Sequence, residues 1–355
     1  MTIPDKNLIT IASDPPYYHA WPGLARLRNG ELWCVFSGNR DNHVCPYGRI
    51  MLTKSYDDGL HWTEPLTIMS TPLDDRDPAI IELDQGAIMV TWFSFDTGRR
   101  LARYRDYYPR SSTHWERHLS KVSREDRLWW HQAWLTITKD LGKTWDQPHP
   151  THVHAPHGPI QLGSGELLYV GNKPGYREVE VYLGSDAQDF RAFDRIGGIF
   201  TPDHKPGVAF SEPHVVELVD ASLLCVLRRE SRDDDDDKEN RYLWISSSMD
   251  GGRHWGAITK STMRGYPGHI LRCSDGRLIV SAASRTYPYS VHAYSIDAKG
   301  AVLFHEEIYR DIPSPDMGYP VTVELAPGEY LTAFYTADLD GSSRICGARW
   351  ESRWQ

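Results

Sequence analysis

The sequence predicts an all-β protein built as a six-bladed β-propeller, and three observations lead to that prediction. A strand-and-turn pattern recurs six times, at an average spacing of about 60 residues. A second motif, rich in Asp and Gly, recurs between these turns. One closed ring of blades can use all 355 residues, although two ordinary domains are the default at this length. We therefore expect a single propeller domain over residues 1–355, with an insertion at about 98–130.

The repeat is clearest when its six turn positions are aligned. These positions are Gly30, Gly86, Gly165, Ala221, Gly276 and Gly328. Eight positions before the turn, four repeats carry a proline: Pro22, Pro78, Pro213 and Pro320. Proline suits the first position of a strand, because its missing N–H is not needed there by the ladder. The first strand of each blade thus begins near the proline, and we expect Leu8–Ala12 to close the ring by pairing into the last blade.

The second motif predicts a tight structural turn. It reads Ser-Tyr-Asp-Asp-Gly-Leu-His-Trp from Ser55 to Trp62, and related copies begin at Thr138 and Ser248. The Ser and Asp side chains can hydrogen-bond the backbone of the turn, the Gly supplies a positive φ, and the Trp packs beneath the hairpin. We expect these turns in outer hairpins, far from the centre of the ring, with no catalytic role.

Composition and charge narrow the class of partner. The net charge of −9 argues against nucleic acid, and no apolar run is long enough to span a membrane. The segment before Leu8 is polar and shows no secretory signal, which favours a soluble cytoplasmic protein. Five scattered cysteines without a CxxC pair suggest buried free thiols rather than zinc ligands. No cofactor and no bound metal are expected, and the oligomeric state is left open.

Two segments interrupt the repeat. Residues 98–130 are rich in arginine and aromatic residues, which fits a lid over an anionic substrate, a subunit contact or a solvated long hairpin. Residues Asp233–Asp237 are five consecutive aspartates. Calcium would accept such oxygen ligands, but a hydrated hairpin tip is the favoured interpretation of this run.

Candidate functional residues follow from the alignment, because the starts of equivalent inner strands converge on one mouth of the propeller. These positions carry Trp21, Arg76, Asp77, His157, Glu212, His214, His269, Asp316 and Tyr319. The loops after the inner hairpins add Arg40, Asp41, His43, Arg228 and Arg285. Charged groups seldom line an interior unless they are paired or used, so this ring of polar residues indicates a site.

The Ser-x-Asp-x-Gly-x-Thr-Trp pattern resembles the Asp-box of the sialidase (neuraminidase) superfamily, whose members carry this repeat. The resemblance implies a carbohydrate partner and a set of roles. Tyr319 matches the tyrosine nucleophile, and Glu212, in Glu-Pro-His-Val-Val-Glu-Leu, matches the glutamate that assists it. A tyrosine nucleophile is the sialidase exception among two-carboxylate glycosidases. Arg228 matches the arginine on the next strand, and Asp41 matches the acid/base aspartate, for which His43 competes.

The sequence also departs from the sialidase pattern. Sialidases place an arginine two residues before the first-blade proline, where this chain has Ala20. One arm of the arginine clamp for a sialic carboxylate is therefore missing, and Arg285 is the nearest candidate for the third arginine. Arg76, together with His157, His214 and His269, adds groups that the clamp does not have. We therefore expect the pocket to bind a sugar other than a standard sialoside.

Three functions remain open at this point. The first is a sialidase-like exo-glycosidase acting on a non-reducing-end sugar, with acidic sugars among the candidates. The second is a polysaccharide lyase in which a tyrosine and a histidine transfer protons while an arginine neutralises a uronate. The third is a non-catalytic glycan-binding propeller that uses Trp21, Trp92 and Tyr287 as stacking surfaces. Propellers support many functions, so the fold does not choose among them.

Overall fold

A computed structural model describes residues 8–174, 178–184, 191–200, 207–231, 237–310 and 312–354. The chain forms six antiparallel sheets of four strands each, and these sheets are the blades of a six-bladed β-propeller. The predicted fold class is therefore confirmed. Within each blade the strands lie side by side. In the first, second, fourth and sixth blades the innermost strand begins three to five residues before the aligned proline, whereas in the third blade it begins only at Ile160.

The first three blades contain the strands from β2 to β13. The first blade consists of β2 (Tyr18–Arg26), β3 (Leu32–Arg40), β4 (Arg49–Ser55) and β5 (Leu66–Met69). The second consists of β6 (Asp74–Glu82), β7 (Ile88–Phe95), β8 (Ala133–Thr138) and β9 (His149–Thr151). The third consists of β10 (Ile160–Gln161), β11 (Leu167–Asn172), β12 (Val179–Gly184) and β13 (Asp194–Ile199).

The remaining blades complete the ring. The fourth consists of β14 (Val208–Glu217), β15 (Leu223–Ser231), β16 (Tyr242–Ser248) and β17 (Thr259–Arg264). The fifth consists of β18 (Gly268–Arg272), β19 (Leu278–Ser284), β20 (Ser290–Ile296) and β21 (Val302–Arg310). The sixth consists of β22 (Met317–Ala326), β23 (Glu329–Ala337), β24 (Ser343–Glu351) and, as its outermost strand, β1 (Leu8–Ala12).

Ring closure by the N-terminal strand is confirmed. Strand β1 runs antiparallel to β24, with Leu8 opposite Ala348 and Thr10 opposite Cys346. Ile11 is buried in the hydrophobic cluster shared by the first and last blades, so both main-chain pairing and apolar burial hold the closure. All five cysteines are buried and free, as their apolar surroundings indicated.

Four inner strands share a backbone feature at the mouth of the ring. Trp21, Asp77, Glu212 and Tyr319 have φ values between 49° and 55°, and each precedes a proline. At each of these positions the register between the first and second strands of the blade shifts. A left-handed non-glycine residue costs about 1–3 kcal/mol and is maintained only where the surrounding structure enforces it. The structure around these four residues therefore enforces a backbone conformation that residues in regular strands do not adopt.

The three Asp-Gly turns (residues 55–62, 138–145 and 248–255) connect the third and fourth strands of the first, second and fourth blades, as expected. In the first, the backbone N–H of Gly59 donates to Ser55 Oγ at 2.9 Å and that of His61 donates to Asp57 Oδ1 at 2.9 Å. Trp62 packs against a hydrophobic cluster and donates its indole N–H to the Gly59 carbonyl. The turns thus stabilise the outer part of the blades and do not reach the central funnel.

The interruption at 98–130 is helical rather than a long hairpin. A 3₁₀ helix (Thr97–Arg100) leads into α1 (Leu101–Tyr107), α2 (Pro109–Leu119) and α3 (Arg124–Trp130), which stand between β7 and β8; a second 3₁₀ helix covers Lys238–Arg241. Asp96 caps the first 3₁₀ helix and also pairs with Arg127 at 2.9 Å, which joins the two ends of the helical segment. No helix of the described residues is long and apolar enough to cross a membrane.

Candidate active site

The mouth of the funnel brings the predicted nucleophile and its assisting glutamate into contact. Tyr319 Oη donates a hydrogen bond to Glu212 Oε1 at 2.5 Å. These residues come from β22 and β14, in the sixth and fourth blades, so their inner strands face a shared space across the fifth blade. Arg228 Nη1 in turn donates to both carboxylate oxygens of Glu212, at 3.0 and 2.9 Å. A tyrosine, a carboxylate and a guanidinium therefore form one connected chain.

The surroundings of this pair determine its protonation state. Burial opposes ionisation of Glu212, but Arg228 and the hydrogen bond from Tyr319 outweigh it and hold the pKa of this carboxyl below its usual value. Burial and the negative charges of Glu212 and Asp77 raise the pKa of Tyr319 well above its usual value. The resting pair is consequently a phenol that donates to a carboxylate.

Arg285 lies on the other side of Tyr319. Its Nε donates to the Met317 carbonyl at 2.8 Å, and its guanidinium carbon lies 5.8 Å from the centroid of the Tyr319 ring. Tyr266 stands between the two arginines, with Arg228 4.5 Å and Arg285 5.5 Å from its ring centroid. The aromatic ring keeps two cations near Tyr319 without neutralising them.

Asp316 is the centre of a second hydrogen-bond network beside Tyr319. It accepts hydrogen bonds from Tyr18 at 2.8 Å, from Tyr335 at 2.8 Å and from His43 Nδ1 at 3.1 Å. Burial opposes its ionisation, but these donors hold the pKa of Asp316 well below its usual value. Burial lowers the pKa of His43, so the imidazole is neutral, donates from Nδ1 and leaves Nε2 as an acceptor.

Trp21 forms the floor between these networks, and cations cover its ring. The guanidinium carbon of Arg76 lies 4.0 Å and that of Arg40 4.7 Å from its ring centroid. Both arginines pair with the buried Asp74, at 3.2 and 2.5 Å, and both donate to the His43 carbonyl. Buried charges are tolerated only with such partners. This cluster therefore holds His43 at the edge of the funnel and Trp21 at its floor.

Asp77 is a buried carboxyl group beside the Tyr319–Glu212 pair. It is 6% exposed, as is Tyr319, and its Oδ1 has no hydrogen-bond partner among the described residues. Burial raises its pKa to about 7; Arg76 acts in the opposite direction, and Glu212 adds to the increase. Asp77, Glu212 and Tyr319 occupy the same register in the second, fourth and sixth blades. They therefore face the funnel from three alternating blades.

Asp41 is placed differently from these residues. Its Oδ2 accepts hydrogen bonds from the Tyr47 hydroxyl and from Trp115 Nε1, the latter at 3.1 Å. Trp115 belongs to α2, so this aspartate anchors the helical segment to the first blade. Among the described residues no contact joins Asp41 to Tyr319 or Glu212. The structure thus places Asp41 at the base of the helical segment and His43 at the funnel.

The three central histidines form a separate layer. The rings of His157, His214 and His269 lie 4.6–5.2 Å apart, and burial lowers the pKa of all three. His214 Nδ1 accepts from the Ile270 N–H at 3.0 Å. The cavity that they line, of about 440 Å³, continues toward Glu82, Glu217 and Arg272 at the turn side of the inner strands. We expected these histidines at the mouth, but they lie deeper in the channel, apart from the Tyr319 network.

The aromatic stacking surfaces suggested for a binding module are largely absent. Trp21 is 1% exposed and Trp92 0% exposed, because both are packed in hydrophobic clusters between blades. Tyr287 is 81% exposed in the loop after β19, and its ring lies edge-on to that of Tyr289, 5.7 Å between centroids. Of the aspartate run, Asp233–Asp236 lie outside the described residues, and Asp237 caps the 3₁₀ helix and pairs with Arg229.

Four residues that contact the predicted site residues are not among the candidates from the sequence: Tyr18, Asp74, Tyr266 and Tyr335. Tyr266 has a usable signal, since it stands ten positions before its turn, as Arg76 does in the second blade. Tyr335 is opposite Gly318 in the sixth blade, next to Tyr319. Tyr18 and Asp74 become recognisable only through contacts with other blades.

The described geometry defines a six-bladed propeller with a tyrosine–glutamate–arginine chain at its mouth. No protein-family model matches the sequence, and no curated protein matches it. Among solved structures, the chain is similar to a protein of unknown function from Dyadobacter fermentans, with 20% identity, a TM-score of 0.78 and 98% of each chain covered.

Two enzymes share the same fold with the chain. The NanB sialidase of Streptococcus pneumoniae has 11% identity and a TM-score of 0.68, with 97% of this chain and 70% of that chain covered. An α-L-arabinofuranosidase of Fusarium graminearum has 11% identity and a TM-score of 0.63, with 97% of each chain covered. The fold is therefore shared with a sialidase and with an α-L-arabinofuranosidase.

Proposed function

We propose that this protein is a sialidase-like exo-glycosidase that hydrolyses the bond to a non-reducing-end sugar. The observation that carries the proposal is the 2.5 Å hydrogen bond from Tyr319 Oη to Glu212, with Arg228 bound to the same carboxylate. A buried phenol has little structural reason to be aimed at a buried carboxylate at the mouth of a funnel. The arrangement fits a nucleophile, Tyr319, with the base that accepts its proton, Glu212. The glycosidases that share the fold support the same reaction class.

In the first step, Tyr319 Oη bonds to the anomeric carbon while the bond from that carbon to the leaving-group oxygen breaks. The phenolic proton passes to Glu212, and an acid donates a proton to the leaving group. Because the pKa of Tyr319 is raised and that of Glu212 lowered, proton transfer is unfavourable at rest. Positive charge that develops on the sugar makes it favourable in the transition state.

In the second step, water attacks the anomeric carbon of the glycosyl-tyrosine and the bond from that carbon to Tyr319 breaks. Glu212 returns its proton to the phenolate, and the group that served as acid accepts the proton of the water. Arg228 keeps Glu212 ionised and oriented, while Arg285 stabilises the phenolate as it leaves. Each group thus regains its starting protonation state.

Asp77 is the carboxyl group best suited to protonate the leaving group. It is buried beside the pair, lacks a partner on Oδ1 and retains its proton close to neutral pH. Asp41, the counterpart suggested by the sialidase resemblance, is occupied by Tyr47 and Trp115. His43 is neutral and bound to Asp316, so it fits better as a contact for a sugar hydroxyl than as an acid.

The substrate is a sugar other than a standard sialoside. Ala20 is buried where the sialidase clamp would have an arginine, so this arm of the clamp is missing. Arg76 and Arg285 still supply positive charge at two sides of the funnel. An acidic sugar bound in a different orientation satisfies both observations.

A panel of 4-methylumbelliferyl glycosides of neutral and acidic sugars tests the proposal. We expect release of the fluorophore from at least one glycoside, and none with Tyr319→Phe. A fluorinated glycoside of the same sugar should leave a covalent label on the peptide that contains Tyr319. An unsaturated product that absorbs in the near-ultraviolet would instead establish a lyase. Binding without any product would establish a binding module.

A further inference from the structure

A cavity of about 460 Å³ lies between the helical segment and the funnel, and we call it the lid cleft. Its walls include Arg76, Arg100, Arg103, Tyr104, Tyr107 and His154. Arg76 also lies over Trp21 at the funnel floor, so the lid cleft opens beside the position where Tyr319 and Glu212 meet. A chain of sugars with one end at Tyr319 would continue into this space.

The charge of the lid cleft is opposite to that of the whole protein. Three arginines line it and no carboxylate does, although the net charge of the chain is −9. In the described part of the chain, neither Arg100 nor Arg103 has a carboxylate partner. Arg99, by contrast, reaches Asp96, and Arg105 reaches Glu116. Such a concave positive surface attracts anions.

Aromatic rings hold these two arginines at the wall. The guanidinium carbon of Arg100 lies 5.5 Å from the Phe95 ring centroid, and that of Arg103 lies 5.7 Å from that of Tyr107. A cation–π contact restrains a guanidinium but leaves its N–H donors free for an anion. The arginines are therefore positioned for a ligand that the protein itself does not supply.

The remaining walls suit a sugar ring. His154 stacks on Phe93 at 4.1 Å, and its Nδ1 is buried without a partner in the described residues. Tyr104 and Tyr107 add phenol groups to the lining. Aromatic faces that alternate with hydrogen-bonding groups match the apolar faces and hydroxyl edges of a pyranose.

We propose that the lid cleft binds an anionic sugar unit adjacent to the one held at Tyr319, so that the substrate is an acidic oligosaccharide bearing carboxylate or sulfate groups. This inference rests on the proposed function only for the position of the cleavable bond. Binding in the lid cleft does not depend on turnover. Anchoring by α2 through Trp115 and Asp41 keeps the lid in place over the funnel.

Isothermal titration calorimetry on the Tyr319→Phe protein tests this assignment without hydrolysis. The probes are trigalacturonate for carboxylate, a sulfated N-acetyllactosamine for sulfate, and cellotriose as the neutral reference. We expect at least one acidic probe to bind about 10-fold or more tightly than cellotriose, because one hydrogen bond from an arginine to an anion raises the affinity by about that factor. The stronger of the two acidic probes identifies the anionic group, and its affinity should fall as salt rises.

A pair of double variants separates the lid cleft from general charge. Arg100→Ala/Arg103→Ala should lower the affinity for the acidic probe about 10-fold or more and leave that for cellotriose unchanged. Arg110→Ala/Arg117→Ala removes the same charge from α2, outside the lid cleft, and should retain the affinity. Circular dichroism would verify that all variants are folded.

Several results would overturn the assignment. These are equal affinity for acidic and neutral probes, no binding of either acidic probe, or equal losses in the two double variants. A change of oligomeric state in Arg100→Ala/Arg103→Ala with unchanged binding would show a subunit contact instead. If acidic probes bind as expected but no glycoside is cleaved, the proposed hydrolysis fails while the lid cleft stands.

Discussion

Tyr319 and Glu212 meet at 2.5 Å with the same unusual backbone, since both have a left-handed φ and both precede a proline. Each such conformation costs about 1–3 kcal/mol, and strain of this kind is concentrated at functional sites. Gly318 assists, because its φ of 124° and the 2.9 Å from its ideal Cβ position to the Ala283 Cβ exclude a side chain. The local backbone is thus adapted to bring one phenol to one carboxylate.

Removal of the Tyr319 hydroxyl should abolish turnover. Tyr319→Phe deletes the nucleophile without changing core volume, so we expect a loss of about 10³-fold or more in kcat and a retained fold. Steady-state kinetics on the glycoside identified in the panel, with circular dichroism, would measure both. Tyr330→Phe is a matched control, because Tyr330 is buried in the same blade near Cys273 and far from the funnel. Near-normal turnover by Tyr319→Phe would refute the nucleophile assignment.

Loss of the Arg228 charge should affect both stability and pH dependence. Arg228→Met leaves Glu212 as a buried carboxylate without its cation, which we expect to cost about 3–5 kcal/mol at neutral pH. Because Arg228 lowers the pKa of Glu212, its contribution exists above the unfolded pKa of about 4.3 and is lost as pH falls through the folded value. Urea unfolding at several pH values should therefore show the difference between the two proteins shrinking in acid. The acidic limb of any pH–rate profile should also move to higher pH. An unchanged limb would contradict the role of Arg228.

Asp77 should destabilise the protein as pH rises from about 4 to 7. Its folded pKa of about 7 lies above the unfolded value of about 3.9, so in this range the folded state binds more protons and stability falls with pH. Asp77→Asn removes this pH dependence. We therefore expect the free energy of unfolding of the variant, relative to that of the wild type, to increase by roughly 3–4 kcal/mol between pH 4 and pH 7. Thermal melts of both proteins across pH 4–8 test this. Parallel curves would show that Asp77 is ionised throughout.

Sialosides should be poor substrates. The missing clamp arginine at Ala20 removes a bidentate contact to the sialic carboxylate, of order 1.5–3 kcal/mol, or about 10- to 150-fold in affinity. Hydrolysis of 4-methylumbelliferyl sialoside, compared with the best glycoside of the panel, provides the measurement. Efficient release of sialic acid by the purified protein would disprove this expectation.

The sequence predicted what depends on the repeat. Tyr319 and Glu212 follow from a common register, because equivalent inner strands converge in any closed ring. The sequence repeat does not predict contacts that depend on packing between distant segments. Engagement of Asp41 by Trp115 requires knowing how the helical segment docks, and the depth of His214 depends on the taper of the funnel. The burial of Trp92 likewise results from packing against the neighbouring blade. The local sequence does not predict this burial, because an exposed tryptophan can have the same sequence neighbours.

Closure of the ring by β1 has a consequence for biosynthesis. The blade that carries Asp316 and Tyr319 takes its outermost strand from the beginning of the chain and its other three from the end. A nascent chain that has not yet emerged from the ribosome beyond β24 therefore has Glu212 but no completed blade around Tyr319. The proposed chemistry accordingly depends on β24, and we expect a product that terminates before this strand to be inert.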